Sequence, residues 1–349
     1  MSNVVSLDLP RKLPLAERQS VFLGNFCCNR RRRDDVFWLK ENAELLNILA
    51  SGGAIVPAEA LAPYLRIYDG LDERLRFFPQ YYRFLLSICL DLEDLGIRTD
   101  GTGTGLCDWA ARMGLPEAEL SDLQRAEARR LLARRGVTTD DPQLTERLHR
   151  FINRSETFAL PNKKAVYELT HIVFYLSDYG VTDPGFDPAA ITSLEFAGLL
   201  AYLDLDVDLL AEVCVAMRFA GKMPSPIWED WVEQQMRGFV LSPRDPGGAD
   251  AYHEYLVTSW WAAFADRPQF PGQPEAAGLT IQRRGGQKGP LRAMSEYMFH
   301  LGAARSADWS RMRQAVTDAV GHDGEAVLSE AEQSSDQFGA FFEGFARAD

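Results

Sequence analysis

The sequence predicts an all-α protein made of helical hairpins that repeat every 40–44 residues. Three observations predict it. Apolar residues recur at helical spacing in most segments, and no strand-like alternation of any length competes. Glycines follow the ends of successive apolar runs at Gly52, Gly96, Gly136, Gly180 and Gly221, spaced by 44, 40, 44 and 41 residues. That period fits one pair of helices of roughly 15–20 residues each. One further step reaches the end of an apolar run near Ala265, so about six or seven hairpins are expected. This number suits an (α/α) toroid, in which every second helix lines a central cavity. An open helical solenoid with a concave face is the alternative.

The elements follow in order. Residues 1–13 read as a disordered lead. A helix over Leu15–Cys28 precedes a basic turn, Arg30 to Arg33, read as a hydrated turn or a dock for acidic surface. The helix Val36–Ala50 is capped by Asp34 or Asp35 and stopped by Gly52-Gly53. Ala58–Asp69 pairs with Phe77–Leu95, Leu106–Met113 with Pro116–Arg135, and Pro142–Asn153 with Lys163–Tyr179. Pro188–Leu203 pairs with Val207–Ala220, and Ser225–Phe239 with Ala249–Ala265. The Pro- and Gly-rich stretch 266–290 is expected to be a flexible loop, with Leu279–Gln282 as a short extended piece. Helices over Leu291–Ala304 and Asp308–Val320 complete a single repeat domain, residues 14–322, and residues 323–349 form an acidic C-terminal helix.

With 349 residues and 46% apolar content the chain can bury a sizeable core. Its net charge of −13 excludes general nucleic-acid binding, which needs a basic surface. The charge is uneven: residues 1–33 carry +5, which leaves −18 for the remainder. No window approaches eighteen uninterrupted apolar residues, so no membrane span is expected. The five cysteines, Cys27, Cys28, Cys89, Cys107 and Cys214, contain no C-x-x-C and signal neither a disulfide framework nor a zinc knuckle. The N-terminus has no apolar secretory segment, and the reading is a cytoplasmic protein.

Chemistry points to the helix of Tyr167 to Gly180. Tyr167, His171 and Phe174 share a face at i, i+4, i+7, and Asp178 lies one turn further. An acid near a helix C-terminus opposes the dipole, so Asp178 needs a partner. His171, Glu212 and His253 are spaced by 41 residues twice, each on the second helix of its hairpin, which sets them at similar heights. Such a trio can hold a divalent metal and leave a position open for water. It can equally act as an acid–base cluster. The candidate catalytic residues are therefore His171, Glu212, Asp178 and Tyr167; the candidate metal ligands are His171, Glu212 and His253. The plain alternatives are a core histidine bonded to a carbonyl, a Glu212–arginine pair and an exposed His253.

Asp204, Asp206 and Asp208 read as helix N-capping acids, because a calcium loop needs more ligands and a turn glycine. Gly101–Gly105 fits no nucleotide fingerprint. The basic run Arg283–Gly289 reads as a solvated loop or as a lid that grips an anion. Phe77, Phe78, Tyr81, Tyr82, Trp260 and Trp261 read as mostly core.

The pattern Tyr167-x-Leu-Thr-His171-x-x-Phe174-Tyr-x-Ser-Asp178-Tyr-Gly180, with Asp206-x-Asp208-Leu-Leu-Ala-Glu212 and Tyr252-His253, resembles a group of all-helical bacterial proteins without an assigned reaction. The similar stretch covers about residues 160–265. The resemblance implies a toroid-like helical repeat and supplies no chemistry. The chain lacks the acidic clusters of terpene cyclases and the Cys/Cys/His zinc set of lanthionine cyclases. Two function classes follow: an enzyme that processes a small molecule in the cavity, or a scaffold that presents a groove to a protein partner.

Overall fold

The computed structural model describes residues 13–98, 100–243, 250–276 and 278–348. The lead expected over residues 1–13 lies outside them except for Leu13, and so does Ala249, the expected start of a helix. The class is all-α. The strands among the described residues are Phe239–Ser242 and Thr280–Arg283, paired antiparallel with Phe239 opposite Arg283. The second strand contains most of the extended piece expected at 279–282.

Among the described residues, six helices form a contact circuit: Val36–Ser51, Tyr82–Asp94, Asp122–Ala133, Lys163–Leu176, Val207–Phe219 and Tyr252–Phe264. Each packs on the next, and the last packs on the first. They are the second helices of the expected hairpins. The intervening helices, among them Leu15–Cys28, Thr102–Arg112, Leu144–Ile152, Pro188–Leu203 and Pro226–Met236, pack against this circuit.

The period has a local cause. Each circuit helix ends in a left-handed residue, after which an amide returns to a carbonyl five residues back. The left-handed residues are Gly53, Gly96, Gly136, Asp178, Gly221 and Asp266. The returning bonds include Ala54 to Leu49 (2.9 Å), Ile97 to Leu92 (3.0 Å), Tyr179 to Phe174 (2.8 Å) and Arg267 to Ala262 (2.9 Å). In the fourth hairpin Asp178, not Gly180, is the closing residue. The helix therefore stops at Leu176 rather than Tyr179.

Two expected helices are broken by proline. Phe77–Leu95 divides into Leu71–Phe77 and Tyr82–Asp94 around Pro79, and the turn leaves Phe77 73% exposed rather than in the core. Pro63 interrupts Ala58–Asp69 in the same way. At the C-terminus, Trp309–Ser334 kinks at Gly321 (φ 71°, ψ 179°), and a separate helix, Phe338–Ala346, follows. Its buried Phe338, Phe341, Phe342 and Phe345 pack beside the helix Pro188–Leu203 and the turn Ser155–Ala159.

The first and last hairpins are joined by polar groups. Arg30, in the run read as a hydrated turn or a dock for acidic surface, is 5% exposed and takes the second role. It donates to Glu41 (3.0 Å), the Leu279 carbonyl (2.7 Å) and Asp250 (2.6 Å), and it lies over the Phe26 ring. Arg18, Asn25 and Asn29 donate to the carbonyls of Gln269, Glu275 and Ala276 in the loop 266–290. The Trp260 indole donates to Ser51 (3.0 Å).

Candidate functional site

The circuit helices run parallel where they meet. Asp208 and His253, each the second residue of its helix, face one another. Near the C-terminal ends Phe174, Phe219 and Trp260 meet instead. The two ends of the circuit therefore differ. The C-terminal end is filled by Phe174, Tyr179, Phe219, Trp260 and Phe264, with neighbouring rings 4.9–6.0 Å apart. The N-terminal end is polar.

At that polar mouth Asp208, Glu212 and His253 present donor atoms all within 4.8 Å of one another. Asp208 and Glu212 lie one turn apart on Val207–Phe219, and both are buried. Each of the three is held by a neighbour through one atom. The Tyr167 hydroxyl donates to Asp208 Oδ2 (2.6 Å). The Thr170 hydroxyl donates to Glu212 Oε2 (2.7 Å). His253 Nδ1 pairs with the Glu44 carboxylate, which turns Nε2 to 3.3 Å from Asp208 Oδ1. That contact is an ion pair out of line for a hydrogen bond, and among the described residues Asp208 Oδ1 receives none.

The electrostatics follow from this packing. Burial disfavours the charged ring of His253, but its pairing with the Asp208 and Glu44 carboxylates outweighs that, and the pKa is pushed up to about 11. Burial raises the Asp208 carboxyl, yet His253, Tyr167 and His171 together hold it below the ordinary carboxylate range. Burial raises Glu212, and the nearby charge of Asp208 adds to the effect while His171 opposes it. Tyr167 is raised well above the usual phenol range by burial and by Asp208.

Of the residues singled out from the sequence, Tyr167, His171, Glu212 and His253 come together at this mouth. His171 is not one of the clustered donors. Its Nδ1 bonds the Tyr167 carbonyl (2.8 Å) and stands 3.7 Å from Glu212, and the side chain is 35% exposed. Asp208, not His171, stands with Glu212 and His253 in that cluster. Asp178 is not at the mouth. It lies seven residues along the helix, about 10 Å of rise, where it closes the helix in the left-handed region and accepts from Arg130 Nε (2.7 Å). That guanidinium, which also covers the Tyr179 ring, is the partner the helix dipole demanded.

Asp208 and Glu44 were missed. Asp206 does cap the helix, accepting from the Leu209 amide (3.2 Å), but Asp208 points into the site. Its signal was present: it follows Tyr167 by 41 residues and precedes Glu212 by four. Glu44 carries no comparable signal.

Residues 1–348 match the model of a family described as a domain of unknown function, DUF6902. No curated protein and no solved structure matches the chain.

Proposed function

The chain belongs to the DUF6902 family, and from the geometry of its polar mouth we propose that it binds a divalent cation there and processes a small molecule in the cytoplasm. In this reading the helical array is an (α/α) toroid, supported by the packing of the Tyr252–Phe264 helix on Val36–Ser51. Asp208, Glu212 and His253 hold the cation, His253 through Nε2. The observation that carries the reading is the prior orientation of all three ligands. Histidine ligands of metal sites characteristically give their other ring nitrogen to a carboxylate, as His253 does to Glu44. Tyr167 and Thr170 do the equivalent for Asp208 and Glu212. A set of two carboxylates and one imidazole suits Zn²⁺, Mn²⁺ or Fe²⁺ and leaves positions for water and substrate. His171, half-exposed beside Glu212 with Nδ1 fixed on a carbonyl, offers Nε2 as an acid or base to a molecule at the mouth.

The test is calorimetric titration of the metal-free chain with Mn²⁺ and Zn²⁺. One equivalent is expected to bind the wild type, and Asp208→Asn or Glu212→Gln to weaken it about 100-fold or more. Absence of binding, or equal binding by both variants, overturns the reading.

A second reading, a scaffold for a protein partner, is favoured by one surface. Val36 and Phe78 line a cavity of about 240 Å³ with Leu39, Arg74 and Tyr81, and exposed Phe77 stacks edge-on beside it. It predicts a partner association that Phe77→Ser abolishes and Asp208→Asn leaves intact.

A further inference from the structure

We infer that Arg30 is a positioning residue of the polar mouth: its guanidinium fixes the start of the helix Tyr252–Phe264 against Val36–Ser51, and so sets Glu44 against His253. The role deepens the cation reading on which it rests, and the two are tested apart.

The need for it lies in the local sequence. His253 is the second residue of its helix, and the cap position is Ala251, which has no side-chain oxygen to hold the first-turn amides. An uncapped start frays, yet a cation needs the His253 ring held in one orientation. The ties that hold this start run sideways. Asp250, three residues before His253, accepts from the Ile281 amide through Oδ1 (3.3 Å) and from Arg30 Nη2 through Oδ2 (2.6 Å). The Ala251 amide donates to the Ile281 carbonyl (2.7 Å), and Arg283 Nε lies 3.4 Å from Glu254 Oε2. Ile281 and Arg283 belong to the strand that follows Leu279, and the Leu279 carbonyl accepts from Arg30 Nη1 (2.7 Å).

The remaining nitrogen of the guanidinium reaches the first circuit helix. Arg30 Nε donates to Glu41 Oε2 (3.0 Å) and Arg31 Nε to Oε1 (2.8 Å), so this buried carboxylate is fixed at both oxygens. Glu41 stands three residues before Glu44, as Asp250 stands three before His253. One planar fork therefore spans Glu41 and Asp250, and three residues further along both segments Glu44 pairs with His253. The fork is itself held still. Its side chain is 2% exposed, and its central carbon lies 4.7 Å from the Phe26 ring centroid and 5.2 Å from that of Tyr252. Three acceptors in fixed directions suit a guanidinium, whereas a lysine ammonium supplies the charge without the fork.

The full chain is titrated calorimetrically with Mn²⁺. The metal-free chain is also labelled with diethyl pyrocarbonate, which acylates accessible imidazoles, and the label is read by mass spectrometry at His253 and at exposed His322. Arg30→Lys keeps the charge and loses the fork. Asp250→Ala frees the helix start and leaves Arg30 on Glu41. Arg134→Met destabilises the chain at another ion pair. Arg30→Lys and Asp250→Ala are each expected to weaken Mn²⁺ binding about tenfold, and to label His253 several-fold faster with His322 unchanged. Arg134→Met is expected to leave the Mn²⁺ affinity within about twofold and the His253 labelling unchanged. Wild-type Mn²⁺ affinity or wild-type His253 labelling in either of the first two variants, or equal changes in Arg134→Met, overturns the proposal. If the wild type takes up no Mn²⁺, the cation reading fails by itself. His253 labelling alone then decides the role of Arg30: faster labelling upholds it, and unchanged labelling overturns it.

Discussion

Raising the pH should tighten the cation at the polar mouth, by about tenfold per unit. The perturbation acts through His253, whose pKa is pushed up to about 11 by Asp208 and Glu44 against the opposing pull of burial. A protonated imidazole has no lone pair to offer, so one proton must leave when Nε2 coordinates. At pH 7, well below that midpoint, only a small fraction of the rings is neutral. Each unit of pH multiplies that fraction by about ten. Between pH 6.5 and 8.5 the apparent Mn²⁺ affinity therefore rises about 100-fold, and the gain ends only near pH 11. Glu212, its carboxyl raised by burial, steepens the slope at the acid end. The assay is calorimetry in two buffers of different ionisation enthalpy, which counts released protons directly. Glu44→Gln lowers the midpoint of His253, so its plateau comes at lower pH, while the loss of orientation costs about 10- to 100-fold in affinity at the plateau. A pH-independent affinity with no proton release would refute the placement of the cation on His253.

Three further outcomes follow from the packing. Because the folded pKa of His253 is raised from the ordinary 6.5 to about 11, its stabilising contribution is complete below the unfolded value and is lost as pH rises through 11. The melting temperature of the metal-free protein should fall between pH 7 and 10.5, and Glu44→Gln should flatten that fall. Gly198→Ala would normally stabilise a helix by about 1 kcal/mol, but the added Cβ meets two Trp228 ring carbons at 2.4 Å. Overpacking of about 1–3 kcal/mol should win and lower the melting temperature by roughly 2 °C; a rise would contradict it. Arg134→Met strands Asp91, a carboxylate only 1% exposed and 2.8 Å from the guanidinium. Urea denaturation should show a loss of about 3–5 kcal/mol.

Much of the fold was legible because each hairpin ends in the same local chemistry. Four of the six closing positions are glycines, which alone take the left-handed region without strain. The other two are Asp178 and Asp266, and there the nearest glycine misplaces the stop or is absent. The site was half legible. The interval of 41 residues linked His171, Glu212 and His253 because parallel neighbouring helices repeat it in space. The same interval joins Tyr167 to Asp208, hidden by two neighbouring acids that favour a capping role. Glu44 was out of reach: it meets His253 across 209 residues, and no local pattern carries that distance. The choice between the two readings of Arg30 was out of reach for the same reason, since its partners Asp250 and Leu279 are remote in sequence.

That remoteness bears on how the chain folds. Hairpins one period apart find each other across about 41 residues, but the bonds from Asn25 and Arg30 to the last hairpin and the loop that follows it span 220 to 250. Closing the longer loop costs roughly 1.5 kcal/mol more in chain entropy. It is recovered only when both ends are already formed, so the seam is the last join to be made. Once made, it ties the first hairpin to the segment around Asp250 and Leu279. Loss of the N-terminal helix should therefore loosen Tyr252–Phe264, on the other side of the seam, before the hairpins between them. Hydrogen exchange on a truncated chain would locate that opening at the seam.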